Sequence, residues 1–249
     1  MKKIAFISLM SSLSLSPIVN AGAMGDAGCS PSAFAAVEGG YTWSKIDGLE
    51  FTSGTGTAAT STTVESTKKQ NQYTVRLAAG VINMIDDSFG LTGELGWGYY
   101  GSTTFDLPAL SLVVPINVTS KYTLTGFDAL IGAAFVQPYY SLSFKVGGLI
   151  QNMQINNTAS YTNLVAPLAG IYTYNEKHNS TAVLPAIKLG AAYNIDQNWA
   201  ITGSWLFAFG ASPGTTLTYT PAAVTNVALD VNTQNPMTNS FMIGFQYSA

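Results

Sequence analysis

From residue 34 onward, stretches of about 10 to 14 residues alternate large apolar side chains with small or polar ones, the period-two signature of a strand with one face in an apolar medium. Eight such stretches predict strands over 34–45, 71–82, 88–100, 121–135, 139–150, 182–194, 198–209 and 237–248. The connections between them alternate in length. Those at 83–87, 136–138 and 195–197 are tight, whereas 46–70, 101–120, 151–181 and 210–236 are long and rich in Ser, Thr, Asn, Gly and Ala. Short turns alternating with long loops are the connectivity of an all-β, eight-stranded antiparallel up-and-down transmembrane barrel, with periplasmic turns and four extracellular loops. An even strand number brings both ends of the barrel to the periplasmic side.

Alternation by itself does not orient the two faces, but the residue identities do. One face carries Val37, Tyr41 and Trp43; Tyr73, Val75 and Leu77; Phe89, Leu91, Leu95, Trp97 and Tyr99; Phe127, Ile131 and Phe135. It continues through Tyr140, Leu142, Phe144, Val146 and Ile150; Val183, Ile187, Leu189 and Tyr193; Trp199, Ile201, Trp205 and Phe207; Phe241, Ile243, Phe245 and Tyr247, with no charged residue among them. The opposite face reads as Gly, Ala, Ser and Thr with six charges. Bulky side chains at this density do not fit inside so narrow a barrel, so that face is predicted to meet lipid. Trp and Tyr favour the two membrane interfaces. Tyr41, Trp43, Tyr73, Trp97, Tyr99, Tyr122, Trp205 and Phe241 cluster at the long-loop ends, and Phe89, Phe135, Tyr140, Tyr193, Trp199, Phe245 and Tyr247 at the short-turn ends.

Composition agrees with this picture and removes others. The 249 residues are 47% hydrophobic and only 9% charged, against roughly 25% charged in a typical soluble domain. No internal run of about 18 apolar residues is present, which excludes a helical membrane protein. A net charge of −3, with Lys68-Lys69 the one basic cluster of the exported chain, argues against a nucleic-acid surface. One cysteine, Cys29, and one histidine, His178, exclude an internal disulfide and a thiol or imidazole metal cage, and no cofactor motif occurs.

The start of the chain predicts export. Lys2 and Lys3 precede an apolar stretch over 4–15, and Val19-Asn20-Ala21 places small residues where a signal peptidase reads. The reading is a signal peptide over 1–21 cleaved after Ala21, a periplasmic lead over 22–33 and a barrel over 34–249 in the bacterial outer membrane. Asp26-Ala27-Gly28 lacks the branched apolar residue expected before a lipidated cysteine, so Cys29 is read as unlipidated.

The six inward charges, Glu38, Arg76, Glu94, Asp128, Lys145 and Lys188, fall one to a strand on the first six strands, three acidic and three basic. In an eight-stranded barrel side chains fill the interior, and an unpaired charge there is expensive. Arg76 is the one arginine of the chain, and its planar fork suits the carboxylates of Glu38 and Glu94 on the flanking strands. Asp128 stands one strand from Lys145, with Lys188 beyond. A self-neutralising plug that fixes barrel geometry is the expected role, and a gated ion or proton path is the alternative.

The chain resembles the small outer-membrane barrels typified by OmpA-like and OmpX-like transmembrane domains and opacity-type surface proteins. The last segment carries the resemblance most clearly: Phe241, Ile243, Phe245 and Tyr247 alternate outward with Gly244 facing in, similar to the C-terminal signal read by the barrel assembly machinery. The final Ser248-Ala249 departs from the usual terminal aromatic. Residues 24–31 also look like the start of some gammaproteobacterial major outer-membrane proteins. Lipid A deacylases of this architecture have an H-x-S spacing that His178-Asn179-Ser180 matches. Their downstream glutamate has no counterpart, since no Glu follows Glu176 and Asp196 belongs to a turn across the membrane. An omptin-type protease would need acids clustered at the outer rim, and Asp47, Glu50, Asp106 and Glu176 show no such spacing. His178 is therefore read as a solvated loop residue.

The loops complete the functional expectation. Low complexity over 48–70 predicts a mobile segment. Residues 107–118 and 217–231 keep apolar and Thr alternation, which predicts hairpins that rise above the membrane and offer an edge to a partner. The leading expectation is a non-enzymatic barrel acting through its extracellular loops in adhesion, surface interaction or envelope integrity. A small-solute or ion channel and a lipid A-modifying enzyme are the alternatives. The expected partners are outer-membrane lipid and lipopolysaccharide, the assembly machinery, and a host-surface or other ligand at the loops.

Overall fold

A computed structural model describes residues 31–46, 49–53, 60–62, 67–110, 116–163, 170–211, 215–219, 227–231 and 234–249. The expected signal peptide, Cys29, Asp47 and residues 48, 54–59 and 63–66 of the low-complexity segment lie outside the described residues. The strands are β1 (Ser32–Ser44), β2 (Leu49–Ser53), β3 (Thr60–Thr62), β4 (Thr67–Asn71), β5 (Tyr73–Met84), β6 (Phe89–Leu110), β7 (Ile116–Val136), β8 (Tyr140–Asn163), β9 (Gly170–Asn194), β10 (Trp199–Ala208), β11 (Thr215–Tyr219), β12 (Val227–Val231) and β13 (Thr238–Ser248). Eight of them form one antiparallel ring in the order β6-β5-β1-β13-β10-β9-β8-β7, closed by pairing of β7 with β6. Closure leaves no unpaired backbone edge in the ring, the condition for a sheet to cross a membrane.

The large apolar residues of the alternating pattern point outward. Ile131 is 71% exposed, Val183 70% and Ile243 60%, values that only an apolar surrounding makes tolerable for so many side chains at once. Aromatic pairs gather at both ends of the ring. Tyr41 packs on Trp43 at 4.8 Å near the long loops, while Phe89 on Phe135 at 5.0 Å and Trp199 on Tyr247 at 5.1 Å lie by the short turns. Tyr122 departs from the expected girdle. It is fully buried and meets Phe105 edge-on at 5.7 Å, because it shares the inward parity of Asp128 on β7.

Two of the tight turns are built alike from Ile-Asp-x-x-aromatic. Asp86 Oδ1 accepts from the backbone N–H groups of Ser88 (2.9 Å) and Phe89 (2.7 Å), and Asp196 Oδ1 from those of Asn198 (2.8 Å) and Trp199 (2.7 Å). Each carboxylate thus satisfies donors that the turn would otherwise leave bare.

Above the ring the wall is uneven. β6, β7, β8 and β9 run on together, with β4 added along β6. The segment 151–181, read as a long loop, is largely strand. Its outward positions, such as Gln154 and Thr158, are polar and exposed, so it lacks the bulky stripe that marks the membrane strands. A bulge at Gly101, with φ of 95°, absorbs one extra residue of β6 where it leaves the ring. Residues 215–231 contain the expected hairpin, β11 with β12, and β11 also pairs in parallel with β2.

Candidate functional site: the closed lumen

All six inward charges are buried and joined in one network. Arg76 is its hub. Its Nη1 donates to Glu38 Oε2 at 2.5 Å, its Nη2 to Glu94 Oε1 and Asp128 Oδ1, each at 2.5 Å, and its Nε to Asp128 Oδ2 at 2.9 Å. Lys145 donates to Glu94 Oε2. Lys188 bridges Glu38 (3.0 Å) and Glu94 (2.6 Å), Ser204 donates to Glu38 at 2.8 Å, and the Tyr100 hydroxyl reaches Asp128 at 3.3 Å. Three cations against three anions leave the layer neutral. Lys145 and Lys188 face each other directly across the β8–β9 ladder, a repulsive placement offset by the Glu94 carboxylate that both share.

Asp128 stands one strand from Lys145, as expected, but its hydrogen-bond partners are Arg76 and Tyr100. The cause is register. Lys145 stands opposite Gly132, four residues along β7 from Asp128. Arg76 instead reaches Asp128 from two strands away, over β6, because the residue between them is Gly96. A Cβ there would sit 2.3 Å from Arg76 Nη2, so only glycine leaves room for the guanidinium.

The inner face is also less uniform than its expected small and polar character. That description fits the periplasmic half. On the extracellular side of the charge layer the lumen is packed with Tyr100, Leu124, Leu149, Met153, Leu206 and Met242, all buried in one apolar cluster that continues into Phe105, Tyr122 and Ile155. These residues obey inward parity but face each other across the lumen, so their apolar character has no bearing on lipid. The charges are therefore covered on that side by buried side chains, apolar ones for the most part, with the hydrogen-bonded pairs Thr42–Ser240 and Gln151–Thr238 among them.

His178 lies on β9 with a side chain 38% exposed, and is not a freely solvated loop residue. Its Nε2 is 2.7 Å from Glu176 Oε1, so an acid partner exists upstream where the H-x-S comparison looked downstream. Ser180, on the same face, donates to Asn235 Oδ1 at 2.7 Å. Asp196 stands in its periplasmic turn. Asp106 belongs to the protruding sheet and accepts from Lys69 and Thr119, both at 3.0 Å. The Lys69 ammonium and the Thr119 hydroxyl together hold the Asp106 carboxyl below its ordinary range. Of the C-terminal residues, Phe241, Ile243, Phe245 and Tyr247 are outward and Gly244 is buried opposite Glu38.

A closed antiparallel ring, a lipid-type outer face with aromatic ends and a filled interior define the fold of a small eight-stranded outer-membrane β-barrel. No family model matches the chain, and no curated protein sequence matches it. Among solved structures it is similar to Ail, the attachment invasion locus protein of Yersinia pestis, at 13% identity over 88% of this chain and 98% of that one, with a TM-score of 0.38. It is also similar to the outer membrane protein OprG from Pseudomonas aeruginosa, at 14% identity over 87% and 96% with a TM-score of 0.42. A third is the outer membrane protease OmpT from Escherichia coli, at 10% identity over 88% and 93% with a TM-score of 0.34.

Proposed function

We propose that this barrel is a non-conducting, non-enzymatic surface protein of the outer membrane that acts through its extracellular strands and loops in adhesion or surface interaction. The observation that carries the reading is the packing of buried, mainly apolar side chains above a charge-neutral network, which supports a lumen that is not a route for solutes. The parts left to meet a partner are the sheet of β6 to β9 beyond the upper aromatics and the separate sheet containing β11 and β2. Export by cleavage after Ala21, assembly through the signal around Phe241, Ile243, Gly244, Phe245 and Tyr247, and seating among lipid and lipopolysaccharide belong to the same proposal. The lumen network acts in it as a structural plug.

The test compares bacteria displaying the full barrel with bacteria displaying a form in which the β6–β7 and β8–β9 extensions are cut to short turns. Binding to host-cell surfaces is expected to fall severalfold, and equal binding overturns the adhesion reading. Steady single-channel currents from the pure protein in planar bilayers would replace it with the channel reading.

A further inference from the structure

Below the charge layer the lumen holds a cavity of ≈ 40 Å³, lined by charged and small residues together with Phe34, Ile82 and Gln246. Two side chains on its wall, Thr92 and Thr202, are 4% and 7% exposed, and neither hydroxyl has a hydrogen-bond partner in the protein. A buried hydroxyl left without a partner is unfavourable, so two of them lining one cavity call for something that is not protein. Their placement is not accidental. Each lies three residues after the aromatic of an Ile-Asp turn and is followed by glycine, Thr92-Gly93 on β6 and Thr202-Gly203 on β10. These strands stand four places apart in the ring of eight, on opposite walls. Water requires about 10–15 Å³ of such space per molecule, so the cavity holds about three.

On the periplasmic side of this space many inward residues are Gly, Ala, Ser or Thr, with Ile82 and Gln246 among the larger ones. Phe34, near the start of β1, is the one aromatic among the described inward positions there. It is 7% exposed and its ring centroid lies 5.1 Å from Lys145 Nζ, within reach of a cation–π contact. The ring rests against Gly80, where a Cβ would come within 2.4 Å of Phe34 Cζ. The ring thus reaches from β1 past Gly80 on the neighbouring strand to the ammonium of Lys145 on β8.

We propose that the periplasmic half of the lumen is a hydrated chamber closed by Phe34, whose ring is a lid held over Lys145 and whose waters satisfy Thr92 and Thr202. The chamber is a blind end: it communicates with the periplasm when the lid swings away and never with the extracellular side. This inference rests on the barrel interior and is independent of the loop function proposed above.

The test uses the full barrel carrying Cys29→Ser, with Ser143→Cys placing a thiol on the chamber wall and Ser141→Cys as a second site should the first fail to fold. Folding is verified by the heat-dependent gel shift. A small neutral methanethiosulfonate is expected to react slowly, and at least tenfold faster when Phe34→Ala is added. Equal rates with and without Phe34, or no reaction in either, overturn the lid. Hydration has its own readout: a Thr92→Val, Thr202→Val double variant is expected to melt at a lower temperature, because valines strand the waters. An unchanged or raised melting temperature means the hydroxyls were dry and overturns the chamber.

Discussion

The layer of charges at mid-lumen and the apolar layer directly above it close the same barrel by opposite means. In the first, every group depends on a partner of opposite sign, and Arg76 alone contacts three carboxylates. In the second, Leu124, Leu149, Met153, Leu206 and Met242 need only fill space. Dispersion contacts are many, weak and forgiving of one missing partner, whereas a buried ion pair is cooperative and loses more than its own share when one member goes. The apolar layer fills the lumen. The charged layer adds a geometric constraint, since the guanidinium meets its acceptors only when β1, β5, β6 and β7 are in register.

The sharpest way to break this contrast is Arg76→Ala. It leaves three buried carboxylates facing two lysines, and removing one partner from a buried network costs about 3–5 kcal/mol. The expected outcome is a large fall in the temperature at which the folded gel band is lost, and an unchanged temperature would remove the network from the stability of the barrel. Leu206→Ala probes the other layer. Leu206 is fully buried, and deleting its side chain costs about 2–5 kcal/mol depending on how far the neighbours collapse. The expected loss is at or below that of Arg76→Ala, with no conductance in planar bilayers because the remaining side chains still block the path. Current through this variant would show that a single side chain makes the seal.

The outer face was legible in the sequence almost residue by residue, while the inner one was legible only in part. Lipid imposes the same demand at every outward position, so Leu91, Phe144 and Ile243 answer to one rule wherever they sit. Inward positions answer to depth and to whatever stands across the lumen. Glu94 and Leu124 share parity and differ only in level, and level follows from strand stagger, which alternation does not encode. The same gap hid the partner of Asp128, which stands one strand from Lys145 but at a different level. A signal for the true partner was present in Gly96, a bare inward position between the strands of Arg76 and Asp128, yet it acquires meaning only once Gly96 is known to lie opposite Asp128. Tyr122 was misassigned for a different reason, its aromatic identity being weighed above its own parity. The extent of β8 and β9 was hidden because the outward face of their extensions, Gln154 and Thr158 on β8 for example, is exposed and polar and carries no apolar stripe.

The smallest effect sharpens the comparison from outside the lumen. Lys69 and Asp106 make an ion pair of ordinary geometry at 3.0 Å, but their side chains are 73% and 33% exposed. Solvent screening leaves such pairs worth about 0–1 kcal/mol. Because Lys69 and Thr119 depress the Asp106 carboxyl, its contribution is fully present above the ordinary carboxyl range and is lost as pH falls through the lower folded value. Melting of the protruding sheet is therefore expected to be flat between about pH 7 and 5 and to drop slightly below about pH 4, where free aspartate titrates. Lys69→Ala should lower stability marginally at neutral pH and reduce that acid-side drop. A loss comparable to that of Arg76→Ala would mean that burial is not what separates the two kinds of ion pair, and the contrast between the layers of the lumen would have to be redrawn in terms of geometry alone.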